Sequence, residues 1–101
     1  MDEIELQFNA SVLAFRRADF QTAERILTQL KRTGDGAVRN RARLYLTTVY
    51  IFQYLPRVWT EENMKFLERA EAESREVLAN NPSQEYRKYA EGNLDAVKIL
   101  R

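Results

Sequence analysis

The chain has 101 residues, of which 45% are hydrophobic and 11% aromatic, and this composition predicts one globular domain over residues 1–101 rather than a disordered chain. Its net charge of +1 lacks the basic excess that general polyanion binders carry. The absence of cysteine and histidine excludes disulfide bonds, Cys/His zinc sites, a histidine general base and a cysteine nucleophile.

The chain also lacks the patterns of secreted and membrane-spanning proteins. Asp2, Glu3 and Glu5 are acidic, whereas a secretory signal begins with basic residues. The longest apolar run, residues 44–55, is too short to cross a bilayer. We therefore expect a cytoplasmic protein that does not enter membranes.

Helical periodicity predicts a first helix over residues 2–17. Its wide apolar arc predicts neighbours on two sides. The arc has two stripes: Leu6, Ala10, Leu13 and Ala14 in one, and Phe8, Val12 and Phe15 in the other.

A second helix is predicted over residues 20–32. Asp19 suits its N-cap, because the carboxylate can accept hydrogen bonds from the free N–H groups of the first turn. Gly34 follows the helix, where a left-handed residue is expected. The predicted buried stripe is Phe20, Ala23, Ile26, Leu27 and Leu30.

The third predicted helix covers residues 37–54 and ends before Pro56. Its first half is basic, with Arg39, Arg41 and Arg43. Residues 44–52 are apolar nearly all round, as in a helix at the centre of a small bundle. Their β-branched and aromatic content would also suit a strand, but no second strand candidate exists to pair with it.

Two more helices follow. Thr60 caps the fourth, which runs to residue 80, and Ser83 caps the fifth. The fourth helix is expected to bury Met64, Leu67, Ala70, Ser74, Val77 and Leu78, and to expose Glu68, Glu71, Glu73, Arg75 and Glu76. The buried stripe of the fifth is predicted to be Tyr86, Tyr89, Ala90, Asn93, Val97 and Leu100.

These elements predict an all-α fold of five antiparallel helices. The patterns Phe20-x-x-Ala23-x-x-x-Leu27-x-x-Leu30 and Ala70-x-x-x-Ser74-x-x-Val77-Leu78, the latter followed by Asn81-Pro82, resemble the second helix of a tetratricopeptide repeat. Ala23 and Ala70 are farther apart than the family's usual period of about 34 residues, so the repeats would be degenerate and elongated. A generic five-helix bundle is the alternative architecture.

The resemblance implies a concave groove, lined by the first helix of each repeat, that holds a peptide or a helix. Arg39 and Arg43 also lie four residues apart, so they could grip a carboxylate or phosphate together. The residues expected to bind a partner are Phe8, Val12, Arg16, Arg39, Arg43, Tyr50, Tyr54 and Arg87.

Three functions are compatible with the sequence. The first is a non-enzymatic interaction module for a partner protein or peptide that is acidic or carries a carboxylate. The second is self-assembly, as a homodimer for example, through the aromatic residues between Tyr50 and Trp59 or through the fifth helix. The third is weak nucleic-acid binding through the arginines of the third helix, ranked last because of the near-neutral charge. No catalytic residues, metal site or cofactor are predicted, since no catalytic motif is present and di-metal bundles use a Glu-x-x-His motif.

Overall fold

The computed structural model describes residues 2–101. It contains five helices, α1 (Glu3–Arg16), α2 (Phe20–Thr33), α3 (Gly36–Gln53), α4 (Glu61–Ala79) and α5 (Gln84–Leu100). These residues form no strand, so the predicted all-α fold with five helices is confirmed. The third segment is a helix despite its β-branched and aromatic content, because packing outweighs local propensity.

Each helix begins at a polar side chain that accepts a hydrogen bond from the backbone N–H three residues later. Such caps satisfy N–H groups that the helix itself leaves without a partner. The caps at Asp19, Thr60 and Ser83 were predicted and are confirmed. The full set is Asp2, Asp19, Asp35, Thr60 and Ser83.

The turn after α2 differs from its prediction. Gly34 is extended, with φ −81° and ψ 163°, rather than left-handed. A Cβ atom at this position would overlap the side chain of Val38 and lie 2.7 Å from the carbonyl oxygen of Leu30. Glycine is therefore required here for close approach of the chain and not for an unusual backbone angle.

Helix α3 is the centre of the fold, as its apolar second half predicted. It packs against α2, α4 and α5, and its side chains also reach α1. Leu44, Leu46 and Val49 are buried. The rings of Phe8 on α1 and Tyr45 on α3 meet edge to face, with centroids 5.4 Å apart.

Successive helices also pack against each other, so the chain forms antiparallel hairpins in which α3 is the central helix. Ala23 on α2 and Ala70 on α4 have no exposed surface. Small side chains at these positions let neighbouring helices approach closely. The two alanines therefore lie where the sequence pattern placed them.

One predicted stripe of α1 is wrong at three of its four positions, and only Ala14 is buried as expected. Leu6 and Leu13 are 54% and 51% exposed, and Ala10 is exposed as well. α1 instead buries Phe8, Ser11 and Ala14. Within residues 2–101, α1 has neighbours on one side only, so a single stripe is covered.

Two other predictions of burial are wrong. Glu73, expected to face water, is buried because it makes ion pairs with residues of α2 and α3. Tyr89, expected in the core, is exposed because it lines a cavity that is open to solvent, where its hydroxyl lies 3.0 Å from that of Thr48.

Candidate functional site

An apolar cavity of about 250 Å³, open to solvent, lies across α3 between α1 and α5. We call it the groove. Ser11, Leu27 and Val49 are buried and form its floor. The remaining lining residues are Val12, Phe15, Tyr45, Thr48 and Tyr89.

The groove is held open by contacts between the helices that border it. Tyr45, Thr48 and Phe52 recur at helical spacing, so they share one face of α3. The hydroxyl groups of Thr48 and Tyr89 are 3.0 Å apart and join α3 to α5. On the other side, the rings of Phe15 and Phe52 meet edge to face at 5.0 Å and join α1 to α3. The groove is thus a preformed apolar surface with two hydroxyl groups at one wall.

A fixed cation lies beside Tyr45. The guanidinium carbon of Arg41 is 4.1 Å from the centroid of the Phe8 ring and 5.4 Å from that of Tyr45. Arg41 Nη1 also donates a hydrogen bond of 2.7 Å to Glu5 Oε1. The bond to Glu5 raises the pKa of Arg41 above its usual range, so the side chain stays charged.

A second cavity, of about 440 Å³, lies where α3 begins and where the loop from α4 leads into α5. We call it the polar pocket. Its lining includes two arginines and no acidic residue. The residues are Gly36, Ala37, Arg39, Asn40, Arg43, Asn80, Asn81, Pro82, Ser83 and Tyr86.

The groove and the polar pocket lie on different faces of α3, and a third cavity lies between them. This third cavity, of about 500 Å³, shares Tyr86 with the polar pocket and Tyr45 and Tyr89 with the groove. Arg41 also lines this connecting cavity.

Three residues expected to bind a partner are in the core, which corrects that prediction. Phe8, Tyr50 and Tyr54 are buried. The Tyr50 hydroxyl donates to Glu24 Oε1 at 3.2 Å, and that of Tyr54 donates to the carbonyl oxygen of Leu100 at 3.3 Å. These side chains hold helices together, so they have no surface to offer a partner.

The other predicted residues divide between different surfaces. Val12 lines the groove. Arg16 and Arg87 are exposed on α1 and α5 but do not line it. Arg39 and Arg43 line the polar pocket instead, which separates them from Val12.

The face of α3 explains this division. The expected face contained Arg39, Arg43 and Tyr50, whereas Arg41 and Tyr45 lie toward the groove. A shift of two residues turns a helix by about 200°, so the two sets lie on opposite sides. The spacing of Tyr45, Thr48 and Phe52 is the signal that would have identified the groove face. The sequence reasoning missed Phe15, Tyr45, Thr48 and Tyr89 as groove residues.

Exposed apolar residues lie at the end of α3 and in the loop that follows it, and we call this set the aromatic edge: Phe52, Leu55, Val58 and Trp59. Trp59 is 71% exposed. The Asn63 carboxamide fixes the loop: Nδ2 donates to the carbonyl oxygens of Leu55 and Val58, each at 2.8 Å, and Oδ1 accepts from the Leu55 N–H at 2.9 Å. An ordered loop therefore presents Leu55, Val58 and Trp59, and α3 presents Phe52.

The arginines of α3 do not form one free basic surface. Arg41 is paired with Glu5, and Arg43 Nε lies 3.8 Å from Glu73 Oε1. Only Arg39 of the three is exposed. This pairing gives no support to nucleic-acid binding through the three arginines.

In the described part of the chain, no helix has both the length and the apolar character needed to cross a membrane. No cluster of three or more acidic side chains that could hold a metal ion occurs there either. Comparison of the chain with family models, with curated proteins and with solved structures found no match.

Proposed function

We propose that this protein is a non-enzymatic interaction module that holds a peptide or helix of a partner protein in the groove. The observation that carries the proposal is an apolar, preformed cavity open to solvent and bordered by Val12, Phe15, Tyr45 and Tyr89. Recognition sites for peptides and amphipathic helices are apolar grooves with a few fixed polar groups. Thr48, Tyr89 and Arg41 supply such groups here.

A tetratricopeptide-like arrangement is part of this proposal. Its support is the order of the helices, since successive helices pack as hairpins and α1, α3 and α5 together border the groove. In that arrangement the first helix of each hairpin faces the ligand.

The proposed partner presents an apolar face with acidic residues beside it. Arg16 on α1 and Arg87 on α5 are exposed and have no ion-pair partner among residues 2–101. Both helices border the groove, so an acidic flank on the partner would meet positive charge on either side. Charge complementarity of this kind raises association rate and selectivity.

The test is affinity purification with quantitative mass spectrometry, using the wild type, Val12→Glu and Tyr89→Glu. A charge in the groove opposes burial of an apolar partner, so the specific partners are expected to be lost in both variants. Ile99→Glu is the matched control, because Ile99 is exposed on α5 and lines neither the groove nor the polar pocket. Circular dichroism checks that each variant keeps its helical content. Partners retained equally by all four proteins would reject the groove.

Self-association is the second candidate, and the aromatic edge favours it. One exposed apolar side chain at the end of α3 and three on the ordered loop after it form the kind of patch that marks protein interfaces. Light scattering across a dilution series would show a concentration-dependent mass that Trp59→Ser abolishes and Ile99→Ser retains. A constant monomeric mass at every concentration excludes this candidate.

A further inference from the structure

We propose that the polar pocket is a binding site for a phosphoryl group, held by Arg39, Asn40 and Arg43 of α3 with Asn81 of the loop before α5. This site lies apart from the groove, and the proposal does not depend on the groove binding a partner. It rests on three features of the pocket, namely a buried amide without a partner, an excess of positive charge and a large number of hydrogen-bond donors.

The buried amide belongs to Asn40. This residue is only 6% exposed and lines the polar pocket. Its carboxamide has no hydrogen-bond partner among residues 2–101. The carboxamide atoms are not themselves fully buried, so the small exposed part of this side chain is open to the pocket that it lines. A ligand oxygen in the pocket would accept from this amide.

The charge of the pocket favours an anion. Arg39 and Arg43 lie one turn apart on α3, and no Asp or Glu lines the cavity. Arg39 Nη2 makes only a long hydrogen bond, 3.4 Å, to the carbonyl oxygen of Gly34. Arg43 Nε has no hydrogen bond, and the nearby Glu73 already accepts one from Lys31 at 2.8 Å.

The neighbouring charges do not cancel this excess. Glu73 shares its single negative charge between Lys31 and Arg43. The carboxylate of Asp35 is engaged as the N-cap of α3, where it accepts from the Val38 N–H. The two arginines therefore keep donors available to an anion.

The number of donors favours phosphate over carboxylate. Two guanidinium groups and three carboxamides line the pocket, although that of Asn80 already donates to the carbonyl oxygen of Glu76. Gly36 and Ala37 also line it, in the first turn of α3, where N–H groups have no carbonyl partner within the helix. A carboxylate offers two oxygens, whereas a phosphate ester offers three strong acceptor oxygens. The cavity volume of about 440 Å³ also leaves room for a group attached to the phosphate.

The experiment is a titration of the isotope-labelled protein with inorganic phosphate at constant ionic strength, followed by amide chemical shifts. We expect saturable shifts confined to residues 36–43 and 80–86. Arg39→Ala should weaken binding about tenfold or more, because a charge-assisted hydrogen bond is lost. Arg17→Ala removes the same charge from an exposed position just after α1, outside the pocket, and should leave binding unchanged.

Asn40→Asp is the second variant. It is nearly isosteric but places a carboxylate where the ligand oxygen would lie, so phosphate binding should be lost. If Asn40→Asp does not fold, the comparison of Arg39→Ala with Arg17→Ala decides the question. Shifts that rise without saturation, or equal effects of Arg39→Ala and Arg17→Ala, would overturn the proposal.

Parallel titrations identify the source of the phosphoryl group. Binding of blocked phosphoserine more tightly than inorganic phosphate supports the site and assigns it to a phosphorylated side chain. Tighter binding of inorganic phosphate supports the site and assigns it to the free ion. Acetate that binds as tightly as either one overturns the assignment to phosphate.

Discussion

Glu73 on α4 accepts a hydrogen bond of 2.8 Å from the ammonium group of Lys31 on α2. Its other carboxylate oxygen lies 3.8 Å from Nε of Arg43 on α3. One acidic side chain thus connects three helices, and only 12% of it is exposed. A charge this far from water is tolerated only while its partners remain.

Replacing Glu73 by alanine is therefore expected to lower the free energy of unfolding by about 2 kcal/mol, since Lys31 and Arg43 would be left partly buried without their acid. Urea denaturation followed by circular dichroism measures the change. Glu76→Ala is the control on the same helix; Glu76 is exposed, so its loss should cost less than about 0.5 kcal/mol. Equal effects of the two substitutions would contradict a bridging role for Glu73.

The glycines at positions 34 and 92 should respond to alanine in opposite directions. Gly34→Ala is expected to destabilise the protein by about 1–2 kcal/mol, because the new Cβ would meet the Leu30 carbonyl oxygen at 2.7 Å. Gly92 lies within α5, and no atom is within 4 Å of its added Cβ. Gly92→Ala should therefore stabilise the helix by roughly 0.5–1 kcal/mol. Thermal and urea unfolding of both variants provide the test, and a more stable Gly34→Ala protein would show that the turn can relax.

Features that depend on neighbouring residues in the chain could be predicted from the sequence. The caps at Asp19, Thr60 and Ser83 require only a side-chain oxygen near the first turn of a helix. The burial of Ala23 and Ala70 followed from helical spacing within one element. Local periodicity was sufficient for these features.

Features that depend on which helices meet could not be predicted in the same way. The apolar face of α3 extends nearly all round, so periodicity alone did not show that Tyr45 and Thr48, rather than Tyr50, face the groove. Leu13 fits a buried stripe by spacing, but no helix in the described chain covers it. Glu73 looked like a surface residue because its partners, Lys31 and Arg43, are distant in sequence.

The polar pocket depends both on spacing within one helix and on which helices meet. The spacing of Arg39 and Arg43 on one helix was visible in the sequence. The remaining wall comes from Asn81 and Tyr86, which a turn between two other helices brings to the start of α3. A prediction of the cavity therefore required the tertiary arrangement.

Close packing at Ala70 is tested by enlarging its side chain. Ala70→Leu is expected to destabilise the protein by about 1–3 kcal/mol, since Ala70 is fully buried on α4 against the core and the added carbons have no room. Ala72→Leu makes the same change at an exposed position two residues later and should have little effect. The free energies of unfolding in urea compare the two. An Ala70→Leu protein as stable as the Ala72→Leu protein would mean that α4 does not approach its neighbouring helices closely at Ala70.

The raised pKa of Tyr50 leads us to expect that the free energy of unfolding falls at alkaline pH. Burial raises the pKa of Tyr50 above its usual value, and the nearby charges of Glu24 and Glu73 raise it further. Burial also raises the pKa of Tyr86. In the unfolded chain both groups lose their protons near pH 10, at about the ordinary tyrosine pKa. Above that pH the folded state binds more protons than the unfolded state does, so the free energy of unfolding falls as the pH rises.

This loss should begin near pH 10 and be absent at neutral pH, where both states hold the tyrosine protons. Tyr50→Phe removes the titrating group together with its hydrogen bond to Glu24, so it should cost about 1 kcal/mol at pH 7 yet show a shallower decline above pH 10. The double variant Tyr50→Phe/Tyr86→Phe should decline still less. Urea unfolding at a series of pH values from 7 to 11 measures these slopes. Parallel curves for the wild type and Tyr50→Phe would show that the buried hydroxyl does not control the alkaline transition, because removal of a group with a raised pKa must change the proton uptake that sets the slope.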